Sequence, residues 1–245
     1  MRLLRLRLRK LVRASSSRAL LRAMLGRRIA PSVEHDALDV SRFRTLIDVG
    51  ANRGQFALWS LDRSDSLRVL AFEPGRSAYE DLTWALRPFS GRVDTQRIAI
   101  GEYDGIAVLN VTKGSDNSSL LTPSPKQLRL ASESEVVSRE DVSVARLDSA
   151  MAGRALQSPI LLKIDVQGTE NLVLRGAGEV LQTVDAVYVE LTFDELYIAG
   201  RSGSEVVNRL VRAGFELQGL YNPTSVGSAV VQCDALFGRS TSWDQ

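Results

Sequence analysis

Four apolar runs in this chain end on or just before an acid. Residues 46–49 carry Asp48, residues 69–72 lead into Glu73, residues 160–164 into Asp165 and residues 186–189 into Glu190. Ionisable groups gathered at strand ends are what a ligand site or an acid–base centre needs. Asp48 opens the spacing Asp48-x-Gly50-x-x-x-Gly54, and two glycines allow a tight loop that a ligand can approach closely. A helix starting near Gly54 would aim unpaired N–H groups and a positive dipole end at that ligand. The pattern G-x-G-x-x-G is missing, with Asn52 where its second glycine would stand, and so is the Gly-Lys-Ser/Thr ending of a phosphate loop. An acid here would repel a pyrophosphate and suits a positive amino or sulfonium group. Glu73, about twenty residues further on, is placed to accept hydrogen bonds from both hydroxyls of a ribose.

That assignment leaves Asp165 and Glu190 for a second substrate. A carboxylate near another, or partly buried, has a raised pKa and can take a proton from a sugar-type hydroxyl. Alternatively, Asp165 and Glu190 could hold one divalent cation that polarises the acceptor oxygen. Lys163 shares the strand face of Asp165 and could balance its charge or form a salt bridge. Glu170 stands in the first turn of a helix, where an acid complements the dipole.

These residues need a scaffold of strands alternating with helices. The apolar runs predict strands over residues 43–49, 67–72, 93–100, 160–165 and 186–190, with helices over 55–61, 77–86, 170–175 and 204–213. Ser77 and Glu80 have the spacing of a capping box. Val206, Leu210 and Val211 should face inward. Phe56 and Trp59 read as core. Residues 106–111 and 142–147 are β-rich, and the polar stretch 112–141 between them reads as a long excursion over the carboxyl edge of the sheet that contributes a lid. Residues 214–220 and 229–237 form the last strands, joined by Tyr221-Asn222-Pro223. The expectation is a doubly wound, mostly parallel α/β sheet of seven strands with an inserted β-rich lid segment.

The chain has 245 residues, 44% of them hydrophobic, which allows one large α/β domain or two small ones with a normal core. Its single cysteine, Cys233, excludes an internal disulfide. Its single histidine, His35, lies ahead of the first strand and argues against a histidine metal centre or a Ser-His-Asp triad. The net charge of +2 conceals a division: residues 1–33 hold ten Lys or Arg and no acid, leaving 21 basic against 29 acidic residues elsewhere. An acidic body argues against a nucleic-acid enzyme. The expectation is therefore a basic arm over residues 1–40 and a catalytic domain over 41–240. In the arm, Leu4, Leu8 and Leu11 share one side of a helical wheel, and Arg2, Arg9 and Arg13 the other. Such a helix can lie on an anionic membrane surface; a solvated tail and a transit peptide are the alternatives. No apolar run reaches the roughly 18 residues that span a bilayer. The expected location is cytoplasmic, with peripheral membrane contact through residues 1–30.

The two cofactor runs together resemble the donor half of class I S-adenosylmethionine-dependent methyltransferases. Lys163-Ile164-Asp165-Val166-Gln167-Gly168-Thr169-Glu170, followed by Leu174-Arg175-Gly176-Ala177, is similar to the signature of the FkbM family of methyltransferases. The loop 48–54, Glu73-Pro74, Ser118-Ser119-Leu120 and Val189-Glu190-Leu191 follow the same order, and the resemblance covers residues 44–237. It implies a Rossmann-like class I fold, S-adenosylmethionine as donor, and transfer to a hydroxyl oxygen of a glycan, glycolipid or polyketide-type natural product. It implies a cofactor set of Asp48, Gly50, Asn52, Gly54, Glu73, Ile98 and Ala99, a catalytic set of Asp165, Glu190 and Lys163, and a substrate and lid set of Ser118, Ser119, Gln167 and Glu170. Arg97 stands where the family often has Asn, and Ala145-Arg146-Leu147-Asp148 where it often has Thr-Leu-Asp. A nicotinamide-dependent oxidoreductase on the same fold and a non-catalytic membrane- or partner-binding module are the rival readings.

Overall fold

A computed structural model describes residues 10–15, 17–200 and 203–239. The strands are β1 (Thr45–Val49), β2 (Arg68–Phe72), β3 (Val93–Gln96), β4 (Ala99–Gly101), β5 (Gly105–Thr112), β6 (Val136–Arg146), β7 (Ile160–Ile164), β8 (Ala186–Thr192), β9 (Phe215–Val226) and β10 (Ala229–Arg239). The helices are α1 (Arg18–Arg27), α2 (Gln55–Arg63), α3 (Arg76–Leu86), α4 (Pro125–Leu130), α5 (Leu147–Met151), α6 (Glu170–Arg175), α7 (Val180–Thr183) and α8 (Gly203–Arg212).

Seven strands form one sheet in the order β3-β2-β1-β7-β8-β10-β9. Pairings from β3 through β8 are parallel, and β10 lies antiparallel between β8 and β9. Buried on both faces, the central strands must be apolar on both. Leu46, Leu161 and Tyr188 pack with α2 and α3 on one side, while Ile47, Leu162 and Val187 pack with Leu174, Leu181 and Leu210 on the other. The chain runs from β1 outward to β3, then returns to place β7 on the other flank of β1. The carboxyl ends of β1 and β7 therefore form the switch point at which open α/β sheets bind ligands. Gly50 makes that junction tight. Its φ is +75°, and a Cβ there would lie 1.9 Å from the Asp165 carbonyl oxygen.

Several local expectations give way to tertiary structure. The strand expected over 93–100 is two strands: β3 closes the main sheet, and β4 joins β6 and β5 in a separate three-stranded sheet. The polar excursion 112–141 is shorter than expected because α4 and the first half of β6 occupy much of it. Ser77 does not cap α3, which begins at Arg76 with Gly75 at its N-cap and no side-chain cap. The last hairpin turns near Gly227, so Tyr221-Asn222-Pro223 lies inside β9, where Asn222 takes a φ of +48° among register shifts. Val211 is exposed, unlike Val206 and Leu210.

The arm is also different from residue 18 onward. Leu20 and Ala23 of α1 are fully buried against the α2–α3 layer. Arg22 stacks on Trp84 at 3.7 Å, and Arg13 pairs with Asp62 at 2.8 Å. Ile29, Leu38 and Phe43 continue into the same core. Arg2, Leu4, Leu8 and Arg9 lie outside the described residues. No helix among the described residues is long and apolar enough to cross a membrane.

Candidate functional site

A cavity of about 880 Å³ opens over the carboxyl ends of β1, β2 and β7, within the range of roughly 300–1,000 Å³ usual for small-molecule sites. One half is built from the glycine loop and Glu73. Gly50 and Ala51 both donate N–H bonds to the Phe72 carbonyl, at 3.0 Å each, which ties the loop to β2. Glu73 is buried. Its Oε2 accepts from the Asn52 N–H at 2.9 Å and its Oε1 from the Gly75 N–H at 2.8 Å. Each oxygen keeps a lone pair for one more donor. Burial pushes the carboxyl up to about 7, with the two backbone donors opposing. Phe72, Ile98, Ala99 and Leu109 supply an apolar wall beside it. A vicinal diol joined to a flat apolar base fits this half of the cavity.

Asp48 is not on the wall. It is wholly buried behind the glycine loop, 3.2 Å from the Lys163 ammonium, and among the described residues no other group hydrogen-bonds either of its oxygens. Register explains this, because Asp48 and Lys163 are opposite each other across β1 and β7. Lys163 Nζ also donates to the Gly50 carbonyl at 2.9 Å and lies 3.6 Å from Asp165. Burial disfavours its charge, but Asp48 and Asp165 outweigh burial and raise its pKa. The direct contact expected between Asp48 and a ligand is thus replaced by an indirect one: Asp48 anchors Lys163, and Lys163 holds the loop carbonyl. Gly54 is likewise off the wall, at the N-cap of α2, where a Cβ would meet Leu82 at 2.9 Å.

The second half contains Asp165, Gln167 and Glu190. The Gln167 amide nitrogen donates to Asp165 Oδ1 and to Glu190 Oε2, both at 2.8 Å. Its Oε1 accepts from the Tyr197 hydroxyl at 2.8 Å. Gln167 holds a φ of +57°, a left-handed conformation uncommon for a side-chain-bearing residue. Burial, then the neighbouring Asp165, raises the Glu190 carboxyl well above its usual range. The amide stands between the two carboxylates, where the alternative reading would place a shared divalent cation. Among the described residues no group of three or more His, Cys, Asp or Glu is arranged to hold a metal ion. The donor set does not fit the cation.

Glu170 does not reach the cavity. Its Oε1 accepts from the Gly168 and Val166 N–H groups at 3.0 and 3.3 Å, so it shapes the turn that carries Gln167. Burial pushes it up to about 7. Asp148 caps α7 by accepting from the Glu179 and Val180 N–H groups at 3.0 Å.

A short turn, Ser115–Asn117, covers the cavity. Asp116 accepts from Asn52 of the glycine loop and from Gln55 at the start of α2, while the Tyr197 hydroxyl lies 3.3 Å from the Asn117 carbonyl. Ser118 Oγ accepts from the Thr112 N–H, and Ser119 Oγ donates to the Gln167 carbonyl at 2.7 Å. These serines fasten the lid and also line the cavity. Sequence reasoning missed Tyr197, Asp116 and His35, which lines the cavity as well. Only the Pro/Ser/Asn-rich character of the stretch around Asp116 hinted at any of them.

The sequence model of the family described as Methyltransferase FkbM domain matches residues 48–217. No curated protein matches the chain. Among solved structures, it is similar to a precorrin-6y C5,15-methyltransferase from Geobacter metallireducens GS-15, at 9% identity and a TM-score of 0.47, over 85% of this chain and 87% of that one. It is also similar to the magnesium protoporphyrin IX methyltransferase of Synechocystis PCC 6803, at 6% identity and a TM-score of 0.45, over 84% and 74% of the two chains. An O-methyltransferase family protein from Burkholderia thailandensis aligns at 12% identity and a TM-score of 0.47, over 91% and 57%.

Proposed function

The chain belongs to the FkbM methyltransferase family, and from that premise we propose that it is an S-adenosylmethionine-dependent O-methyltransferase acting on a hydroxyl of a glycan, glycolipid or polyketide-type natural product. One observation carries the reading. Glu73, presented by the N–H groups of Asn52 and Gly75, opens into the same cavity as the Asp165–Gln167–Glu190 cluster. A diol-bearing donor and a hydroxyl-bearing acceptor can therefore meet in one hollow. When bound, the donor supplies an electrophilic methyl group on a sulfonium. Glu73 accepts the ribose hydroxyls, Ile98 and Ala99 pack on the base, and Asn52 and Gly50 frame the loop side. Asp165 and Glu190 bind polar groups of the acceptor beside the reacting hydroxyl and orient it, and Gln167 fixes the spacing of the two. Rate comes chiefly from alignment. Residues 1–30 could add a contact with an anionic membrane that brings a lipid-linked acceptor near; the basic residues and the exposed Leu11 and Val12 support this.

Asp165→Asn tests the division of labour. It should bind S-adenosylmethionine with unchanged affinity by isothermal titration, yet transfer methyl groups about 10²-fold more slowly. The assay uses labelled donor and an envelope and metabolite extract of a strain lacking this chain. An unaffected rate removes Asp165 from the mechanism, and no donor binding by the wild type rejects the function.

Glu73 makes a second test. Burial pushes its carboxyl up to about 7, against the 4.5 of an ordinary glutamate. A raised acid favours folding below its unfolded pKa, and that contribution is lost as pH rises through 7. Ribose hydroxyls need the ionised form. Donor affinity should therefore rise about tenfold between pH 6 and pH 8 in the wild type, and be flat and weaker in Glu73→Gln. A flat wild-type profile would contradict the role.

A further inference from the structure

We propose that His35 is the base that takes the proton of the acceptor hydroxyl, with its free Nε2 set on the cavity wall by a hydrogen-bonded chain through Tyr188 to Asp234. The proposal rests on the methyl-transfer reading of the same cavity and adds the residue that reading lacks.

His35 ends a single 3₁₀ turn, Val33–His35, ahead of the first strand. Its ring is held edge-on by Phe56, Tyr188 and Trp59, with centroids at 5.1, 5.5 and 6.1 Å. Nδ1 lies 2.9 Å from the Tyr188 hydroxyl oxygen. That hydroxyl is 3.1 Å from Asp234 Oδ2, which also accepts from the Asn222 amide at 2.7 Å. The tyrosine hydroxyl donates to Asp234 Oδ2, so its one phenolic proton goes there. The 2.9 Å contact must then be Nδ1–H donating to the tyrosine oxygen. The tautomer follows: Nδ1 carries the proton and Nε2 has the lone pair. Nε2 makes no hydrogen bond among the described residues, and His35 lines the cavity along with Phe56, Lys163, Asp165 and Glu190.

The surroundings suit a base. Burial lowers the His35 pKa, which keeps the imidazole neutral and able to accept. Asp234, Glu34 and Asp165 oppose that shift, and Lys163 adds to it. The same three carboxylates favour the imidazolium once a proton arrives. The orienting logic is that of a second hydrogen bond fixing which imidazole nitrogen is free, here with a tyrosine between acid and histidine. In the step, the acceptor oxygen forms the new O–C bond as the sulfonium C–S bond breaks. The electron pair of that bond stays on sulfur. The hydroxyl proton passes to Nε2 and leaves to solvent through the cavity mouth. Tyr188 and Asp234 are positioning residues.

His35 is the only histidine in the chain, so a long-range ¹H–¹⁵N spectrum of the untagged, full-length protein reads one imidazole. The expected result is the Nδ1–H tautomer at pH 7.5, moving toward Nε2–H in Tyr188→Phe. An Nε2–H wild type, or a Tyr188→Phe spectrum that does not change, overturns the proposal whether or not an acceptor is at hand. In the extract assay, His35→Gln should keep its S-adenosylmethionine affinity within about twofold while transfer falls about 10²-fold or more. Added imidazole should restore part of the transfer in His35→Ala. Transfer by His35→Gln within threefold of wild type also overturns it. Absence of donor binding by the wild type would instead count against the methyl-transfer reading, so the two failures are told apart.

Discussion

Lys163→Met is expected to cost about 3–5 kcal/mol of folding stability, the usual penalty for removing one partner of a buried ion pair. For a domain of this size that is a fall of roughly 6–20 °C in Tm. The cause is Asp48. It is fully buried on the second residue from the end of β1, and Lys163 is its partner at 3.2 Å. Burial has already raised the Asp48 carboxyl, and Lys163 is the main opposing influence. Without the ammonium, the carboxylate either stays charged in an apolar layer or takes up a proton. An acid raised further above its unfolded value destabilises the fold more as pH rises, so the deficit of Lys163→Met should be larger at pH 8 than at pH 5. Asp48→Leu combined with Lys163→Met removes both charges and should recover most of the lost stability. Urea unfolding followed by tryptophan fluorescence measures all three. A single variant within 1 kcal/mol of wild type would mean that the pair does not anchor the switch point.

Gly50→Ala should be the other severe change. The backbone at +75° costs an alanine of order 1–3 kcal/mol by itself. In addition, its Cβ would stand 1.9 Å from the Asp165 carbonyl oxygen, with no flexible side chain to give way. The turns after β1 and β7 must separate, which moves Asn52 away from Glu73. We expect about a hundredfold loss of S-adenosylmethionine affinity, equivalent to about 3 kcal/mol, together with a lower Tm. Gly153→Ala is the control. Gly153 has a φ of +73° but nothing within 4 Å of a Cβ, so it carries the backbone penalty alone and should bind the donor normally. Equal donor affinity in the two variants would refute the steric argument.

The central strands and the loop at Gly50 were legible because they are local: continuous apolar runs and paired glycines mean the same thing in most α/β chains. The seven-stranded sheet followed from their alternation with helices. What escaped depends on who sits opposite. Asp48 looks like a ligand residue until the register shows Lys163 across from it. Arg97 and Ile98 look like mid-strand residues, but the backbone leaves one sheet there and enters another. Tyr221-Asn222-Pro223 carries turn chemistry, yet pairing with β10 continues past it to Val226. His35 stands before β1, where no strand end marks it as a site residue. Its partners Tyr188 and Asp234 are 153 and 199 positions away, a distance no spacing rule reads.

Among the described residues, β10 follows all nine other strands in chain order. This strand slots between β8 and β9, and its residues Gln232 and Asp234 lie beside Thr192 and Glu190. Synthesis must therefore pass β9 and reach β10 before the second edge of β8 can pair. Until then the nascent chain presents β8 as an open, apolar edge, the kind of surface that chaperones cover.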